Sequence, residues 1–217
     1  MILRPVLQLA AVAAAAAALS GCSLLSTPDP VQNYRFGLPL DAPSAEGDTP
    51  APLSVSIRRI EFPEATGDDR ILGVTGTETA YIGGARWVSP AATLFDDSLK
   101  AAFANRADQI RVLGRREPGT PPLVLQVSVT TFEARYSAPG ATPDVVITAR
   151  AQLRSTPERR AGGNAAIRPE TARSVERVFT VTQPATENRV AAIVAAFDTA
   201  TRDINTQIAD WTIQSSK

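Results

Sequence analysis

Histidine is absent from these 217 residues, and cysteine occurs once, at Cys22. The first absence removes Ser-His-Asp and Cys-His catalysis, a histidine general base and His-rich zinc sites. The second removes any intramolecular disulfide. An excess of one charge is lacking too, since 22 Lys and Arg balance 22 Asp and Glu. Without residues 1–21 the chain loses Arg4, leaving 21 basic against 22 acidic residues and a formal net charge of about −1. That balance excludes the basic footprint of a nucleic-acid partner and a polybasic membrane patch. No phosphate loop is present, because Gly83-Gly84 and Gly162-Gly163 lack the strand, glycine-lysine and helix context it requires. Asp68-Asp69 and Asp96-Asp97 remain as carboxylate pairs, and neighbouring carboxylates read first as solvated turn or helix-surface residues. The chain is expected not to be an enzyme, and no catalytic, cofactor-binding or metal-binding residue is assigned.

What is present begins with Leu19-Ser20-Gly21-Cys22, which closes an apolar N-terminal stretch. Arg4 supplies a positive start, and the alanine-rich run from Val6 to Leu19 is too short for the ~20 apolar residues that a spanning helix needs. The pattern is that of a bacterial lipoprotein processing site. Small residues at Ser20 and Gly21 admit a peptidase, and the Cys22 thiol is the nearby nucleophile that can carry a diacylglyceryl group. An ordinary secretory signal or an uncleaved anchor is the alternative. Lipidation also accounts for a lone cysteine in an exported protein. Each buried methylene adds ~0.8 kcal/mol to membrane affinity, so two or more acyl chains, palmitate among them, hold such a protein permanently. Ser23 follows the cysteine where an inner-membrane retention aspartate would stand, so the periplasmic face of the outer membrane is expected.

Residues 1–21 are therefore read as a signal peptide, 22–33 as a lipidated flexible tether and 34–217 as one domain, about 195 residues after cleavage being enough for one sizeable core. The stretch from Ser23 to about Ala51 is rich in Pro, Ser, Asp and Gly, apart from Tyr34, Phe36, Leu38 and Leu40, which alternate as an edge strand does.

Leu53, Val55 and Ile57 alternate with polar residues and predict a strand with one buried face. Ile60 and Phe62 fall on the opposite parity, which calls for a bulge near Arg58-Arg59 or a crossing between cores. Ile71 to Val74 and Glu78 to Ile82 read as a hairpin around Thr75-Gly76-Thr77. Trp87 precedes Ser89-Pro90, where serine can cap a helix and proline suits its first turn. Leu94, Phe95, Leu99, Ala102 and Phe103 make the apolar stripe of that helix, with Asp96, Asp97 and Lys100 on its wet face. Gln109 to Leu113 predicts a returning strand.

Leu123 to Tyr136 and Val145 to Leu153 alternate clearly and form an antiparallel hairpin across Ser137 to Pro143. Ser174 to Gln183 follows as a third long strand with Phe179 and Val181 inward, after a loop in which Arg159 and Arg160 read as exposed charges or a partner contact. Val190, Ile193, Val194, Phe197, Ala200, Ile204, Ile208 and Trp211 then recur at helical spacing over about seven turns, with Thr186 as the expected cap. Asp198, Arg202, Asp203 and Asp210 belong to the solvated face. The alanines at 191, 192, 195 and 196 suit packing on a sheet, a coiled-coil seam being the alternative. Trp87 and Trp211 read as core residues beside helix ends, with an exposed partner anchor as the alternative. The fold class expected is α+β: an antiparallel β-sheet packed with two main helices, including a long C-terminal amphipathic helix.

The order of these features resembles the ABC-type transport auxiliary lipoprotein component family: lipobox, aromatic strand at Tyr34 to Leu38, Trp87 leading into a helix, a long strand ending Thr131-Phe132-Glu133, a paired strand at Val146 to Leu153, and a terminal amphipathic helix. The likeness covers about residues 34 to 211, and the double aromatic usual near the start is reduced here to Tyr34 followed by Arg35-Phe36. The resemblance implies an auxiliary role beside an ABC permease complex and a mammalian-cell-entry-type substrate-binding protein, in systems moving lipids or other apolar compounds. It also implies homo-oligomeric rings for some members. A stand-alone lipid- or cell-wall-binding lipoprotein is the competing reading.

Overall fold

Alternating apolar residues from Leu123 to Tyr136 build the longest strand, and the rest of the sheet is arranged around it. A computed structural model describes residues 30–37, 53–114, 121–155 and 173–216. The chain divides at Pro30/Val31, and the account below concerns the second unit, Val31–Lys217. Its elements run β1 (Gln32–Tyr34), β2 (Leu53–Ile57), α1 (Glu64–Gly67), β3 (Arg70–Thr75), β4 (Glu78–Trp87), α2 (Ala91–Ala104), β5 (Ile110–Val112), β6 (Leu123–Tyr136), β7 (Asp144–Ser155), β8 (Ser174–Pro184) and α3 (Val190–Ser215). The class is α+β, as expected: one eight-stranded, mostly antiparallel sheet packed with two main helices, the C-terminal one 26 residues long.

β7 lies antiparallel along the whole of β6, and β8 lies antiparallel along β7. The opposite edge of β6 is shared by two strands. Its start pairs in parallel with Val55–Ile57 of β2, and its end pairs in parallel with Gly73–Thr75 of β3. Beyond β2 comes β5, and beyond β3 come β4 and then β1. The pairings of β2 with β5 and of β1 with β4 are also parallel, three residues each. Period-2 alternation reports which face a side chain takes but not the direction of the neighbouring strand, so these short parallel ladders left no trace in the pattern.

Two bulges put the right side chains inward. Ile57 pairs with Leu125 and Glu61 bridges to Ser128, so four residues advance against three and the extra one reverses the parity. Val55 and Ile60 are consequently both buried, which settles the bulge expected near Arg58-Arg59. In β6 the register shifts between Val129 and Thr131. Leu123, Leu125, Val127 and Val129 point inward before it, and Phe132 and Ala134 point inward after it.

Phe132 meets Phe36, Phe62, Trp87 and Phe197 at centroid distances of 5.3, 5.4, 6.5 and 4.8 Å. Tilted and edge-on rings at such distances gain a quadrupole term beyond their buried area. The expected edge strand from Tyr34 to Leu40 takes a different form. β1 ends at Tyr34, Phe36 turns into this cluster at 1% exposure, and Leu38 and Leu40 lie outside the described residues.

The helices bury the stripes read from their spacing, but they start differently. Pro90, not Ser89, occupies the N-cap of α2, without a side-chain cap bond; the Ala91 N–H instead donates to the Asp68 carbonyl at 2.9 Å. Arg189, not Thr186, precedes α3, again without a side-chain cap. At α2 a tertiary backbone contact thus replaces the local cap. On α3, Ala196 is buried while Ala191 and Ala195 are exposed, so the large residues set the spacing to the sheet. Trp211 packs edge-on against Phe179 at 5.8 Å, and Trp87 is 2% exposed, so both tryptophans are core residues. Among the described residues no helix is long and apolar enough to cross a membrane.

Asp198, expected on the wet face, is half-buried and accepts a 2.7 Å bond from the Gly37 N–H while also pairing with Arg202. Gly37 is needed there, because its φ is +76° and a Cβ would lie 2.6 Å from the Ser98 Cβ. Gly37→Ala is expected to destabilise the domain by about 2–4 kcal/mol, and Phe132→Ala by roughly 3–5 kcal/mol. Gly76→Ala, at φ +59° with nothing within 4 Å, costs only about 1–2 kcal/mol. Urea-unfolding midpoints of the three variants test this order.

Candidate functional site

The β3–β4 hairpin carries a concavity. Thr75 and Glu78 pair across a two-residue loop in which Gly76 takes a positive φ, as the first position of a II′ turn requires. Partners in a register share a face, so pairing Gly73 with buried Ala134 puts Gly73 and Thr75 on the helix side of the sheet. Ala80 and Glu78, opposite them, lie on that side too. The hairpin runs on past the start of α3, and its helix-side face is left uncovered there. The result is a concavity of about 360 Å³ floored by Gly73, Thr75, Ala80 and Ile82. Tyr136, Gly140 and Asn188 form its wall, where the Asn188 amide donates to the Gly140 carbonyl at 3.2 Å.

Close approach shapes the floor. A Cβ on Gly73 would sit 3.2 Å from Cε2 of Tyr136, so the absence of a side chain lets the ring lie over the strand. On the other face of the hairpin, the Tyr81 hydroxyl donates to the Ala65 carbonyl at 3.2 Å, and the Arg70 guanidinium lies 3.7 Å over its ring. The two tyrosines therefore brace the hairpin from opposite faces. With volume near the low end of the roughly 300–1,000 Å³ of small-molecule sites, the concavity suits one large side chain or one end of a ligand.

The carboxylate pairs have other partners. Asp69 meets Arg86 at 2.9 Å, and Asp96 meets Lys100 one helical turn away at 2.5 Å. Asp68 and Asp97 are exposed. These pairs stand on separate elements, and among the described residues no group of three or more potential metal ligands converges. Cys22, Arg159 and Arg160 lie outside the described residues.

Sequence reasoning missed the polar contact between the two main helices. The buried Asn205 amide donates to the Ser98 hydroxyl at 3.0 Å. Its signal was available in the spacing: Phe197, Thr201 and Asn205 follow one another at four-residue intervals inside the apolar stripe. A second tie, Arg106 to Asp210 at 2.5 Å, joins the end of α2 to α3. The hairpin concavity left no comparable signal, because it depends on where α3 begins relative to β4.

The fold defines an α+β domain in which a helix pair covers one face of a single sheet. Two solved structures share it: protein XCC0632 from Xanthomonas campestris, described under family model DUF330 (22% identity, 88% of this chain and 96% of that one, TM-score 0.62), and an uncharacterized protein (15% identity, 84% and 98%, TM-score 0.62). No curated protein matches the chain. The chain belongs to the ABC-type transport auxiliary lipoprotein component family, whose model matches residues 34–209. Membership makes it a membrane-associated lipoprotein of the cell envelope, auxiliary to an ABC transport system.

Burial raises the Tyr136 phenol above its ordinary value of 10.0. The unfolded chain then gives up this proton first, so stability is unaffected below about pH 10 and falls as pH rises from there through the raised value. Tyr136→Phe is expected to remove this alkaline component, read as a flatter dependence of the urea midpoint above pH 10.

Proposed function

We propose that this chain is the anchored docking component of a mammalian-cell-entry-type ABC transport system for lipids or other apolar compounds. Cys22, freed by removal of residues 1–21, carries the lipid anchor, and a tether from Cys22 leads to the domain. The anchor holds the domain on the periplasmic face of the outer membrane, where it binds the system's substrate-binding protein and, through it, the permease complex. Some members of such systems work as rings, and a homo-oligomer of this chain is part of the proposal.

The family match over residues 34–209, behind a lipobox at Cys22, is the observation that carries this reading. The packing supports an accessory role. The helix-side face of the sheet is filled by α2, α3 and the aromatic cluster, and the hairpin concavity is too small to enclose a two-chain lipid. One acyl chain alone binds a membrane marginally, so a multiply acylated Cys22 is needed for a fixed station.

In cells fed labelled palmitate, the wild-type chain is expected to take up label, whereas Cys22→Ser takes up none and appears in the soluble periplasmic fraction. Affinity purification of the lipidated chain from crosslinked membranes is expected to recover the substrate-binding protein and the permease. Recovery of phospholipid or cell-wall fragments without either protein would support a stand-alone binding lipoprotein instead.

A further inference from the structure

Among the described residues, β8, β5 and β1 have an edge with no strand beside it, and so does the first part of β4. β8 carries Glu176 and Arg177 near its start and ends at Pro184, with Glu176 paired to Arg150 at 3.2 Å and an uncharged run from Val178 to Gln183 between. β5 is three residues long with Arg111 at its centre, and β1 is also three residues long. Charges, prolines and shortness are the usual defences of a sheet edge against another chain. On β4, β1 covers only Ala85–Trp87, and the run before it, Thr79-Ala80-Tyr81-Ile82-Gly83-Gly84, contains neither a charge nor a proline.

The register states which backbone groups that edge offers. Thr75 and Glu78 flank a two-residue loop, so they exchange both hydrogen bonds, as do Gly73 and Ala80 two positions on. The N–H and C=O of Thr79 and Tyr81 therefore point away from β3, toward the open edge. Both residues are exposed. At the far end of the run, Gly83 and Gly84 leave the β3 register, with Gly84 at φ +68°, and deliver the strand to its pairing with β1. A segment added beside Thr79–Ile82 would continue the same edge that β1 already occupies. It would also border the concavity, whose floor includes Ala80 and Ile82.

We propose that this edge of β4 is the docking site for the transporter, and that it takes an extended, uncharged segment of the partner as an added strand. Backbone bonds to Thr79 and Tyr81 supply the register, and an apolar or aromatic side chain of the segment enters the concavity against Tyr136 and Ile82. Strand addition takes affinity from main-chain bonds and selectivity from a pocket for alternate side chains, and both parts are here within one hairpin. This proposal rests on the docking reading above and assigns its surface.

The test uses the full lipidated chain in its native membranes. A benzophenone photocrosslinker placed at Thr79 is expected to join the chain to the substrate-binding protein or permease of the system, identified by mass spectrometry, while the same group at Val178 on β8 does not. Thr79→Pro removes one edge N–H, a substitution that an edge position tolerates, and Ala80→Lys places a charge at the concavity. Each is expected to lower co-purified transporter protein by about tenfold or more, with the melting temperature kept within a few degrees, while Val178→Lys recovers wild-type amounts. Should Thr79→Pro melt early, Ala80→Lys decides. Wild-type recovery by the variants overturns the proposal while leaving the docking reading intact, as does a Thr79 crosslink to a second copy of this chain or to phospholipid alone. Failure of the wild-type chain to recover any transporter protein overturns both.

Discussion

Phe132 holds the structure together because elements distant in sequence meet at its ring. The segment after β1 reaches it through Phe36, the bulged stretch after β2 through Phe62, the end of β4 through Trp87, and α3 through Phe197. It faces inward because of the one-residue shift between Val129 and Thr131. Continued alternation would have put Phe132 on the open face of the sheet with Ser128 and Thr130, leaving Trp87 and Phe197 without their common neighbour. One irregularity in the longest strand thus decides whether the core closes.

That closure also connects the N-terminal end of the domain to its helices. Phe36 is held by the rings, and the next residue, Gly37, is held by Asp198 on α3, with Ser98 leaving no room for a side chain on it. A pull on the chain before β1 is therefore met by the core and by α3 as well as by three residues of strand pairing. For a lipoprotein, whose domain is retained by the chain preceding it, such a clamp has mechanical value.

The far end of the hairpin follows a different logic. α3 begins at Val190 with no side-chain cap, just beyond Asn188 at the concavity's wall. The hairpin consequently has a helix-side face that no helix covers, and Gly73 keeps that face low enough for Tyr136 to lie across it. The aromatic cluster is largely buried, whereas this region is open and uncharged along one edge. A binding element drawn from the less packed margin of a firmly packed domain matches how proteins divide stability and recognition.

Most elements were legible because each depends on a local period. The stripe from Val190 to Trp211, the alternation in β6, β7 and β8, the Gly76 turn and the parity change near Arg58-Arg59 are statements about neighbouring residues, and neighbouring residues determine which face is apolar. The cap at Ser89 was misplaced because the Asp68 carbonyl, from an earlier element, stands at that helix start and accepts from the Ala91 N–H, and α3 starts after Arg189 rather than Thr186 without any side-chain cap. Asp198 looked solvated because its partner, Gly37, lies 161 residues away.

By itself, then, the sequence determined the α+β class, the absence of histidine chemistry and the inward face of nearly every element, all of which follow from residue type and short-range spacing. Only the tertiary structure decided the direction of the short parallel ladders, the gathering of Phe36, Phe62, Trp87 and Phe197 around Phe132, and the uncovered hairpin with its open edge. Those depend on which distant segments become neighbours. No period of two or 3.6 residues encodes that choice, because it is made by the packing of whole faces against one another.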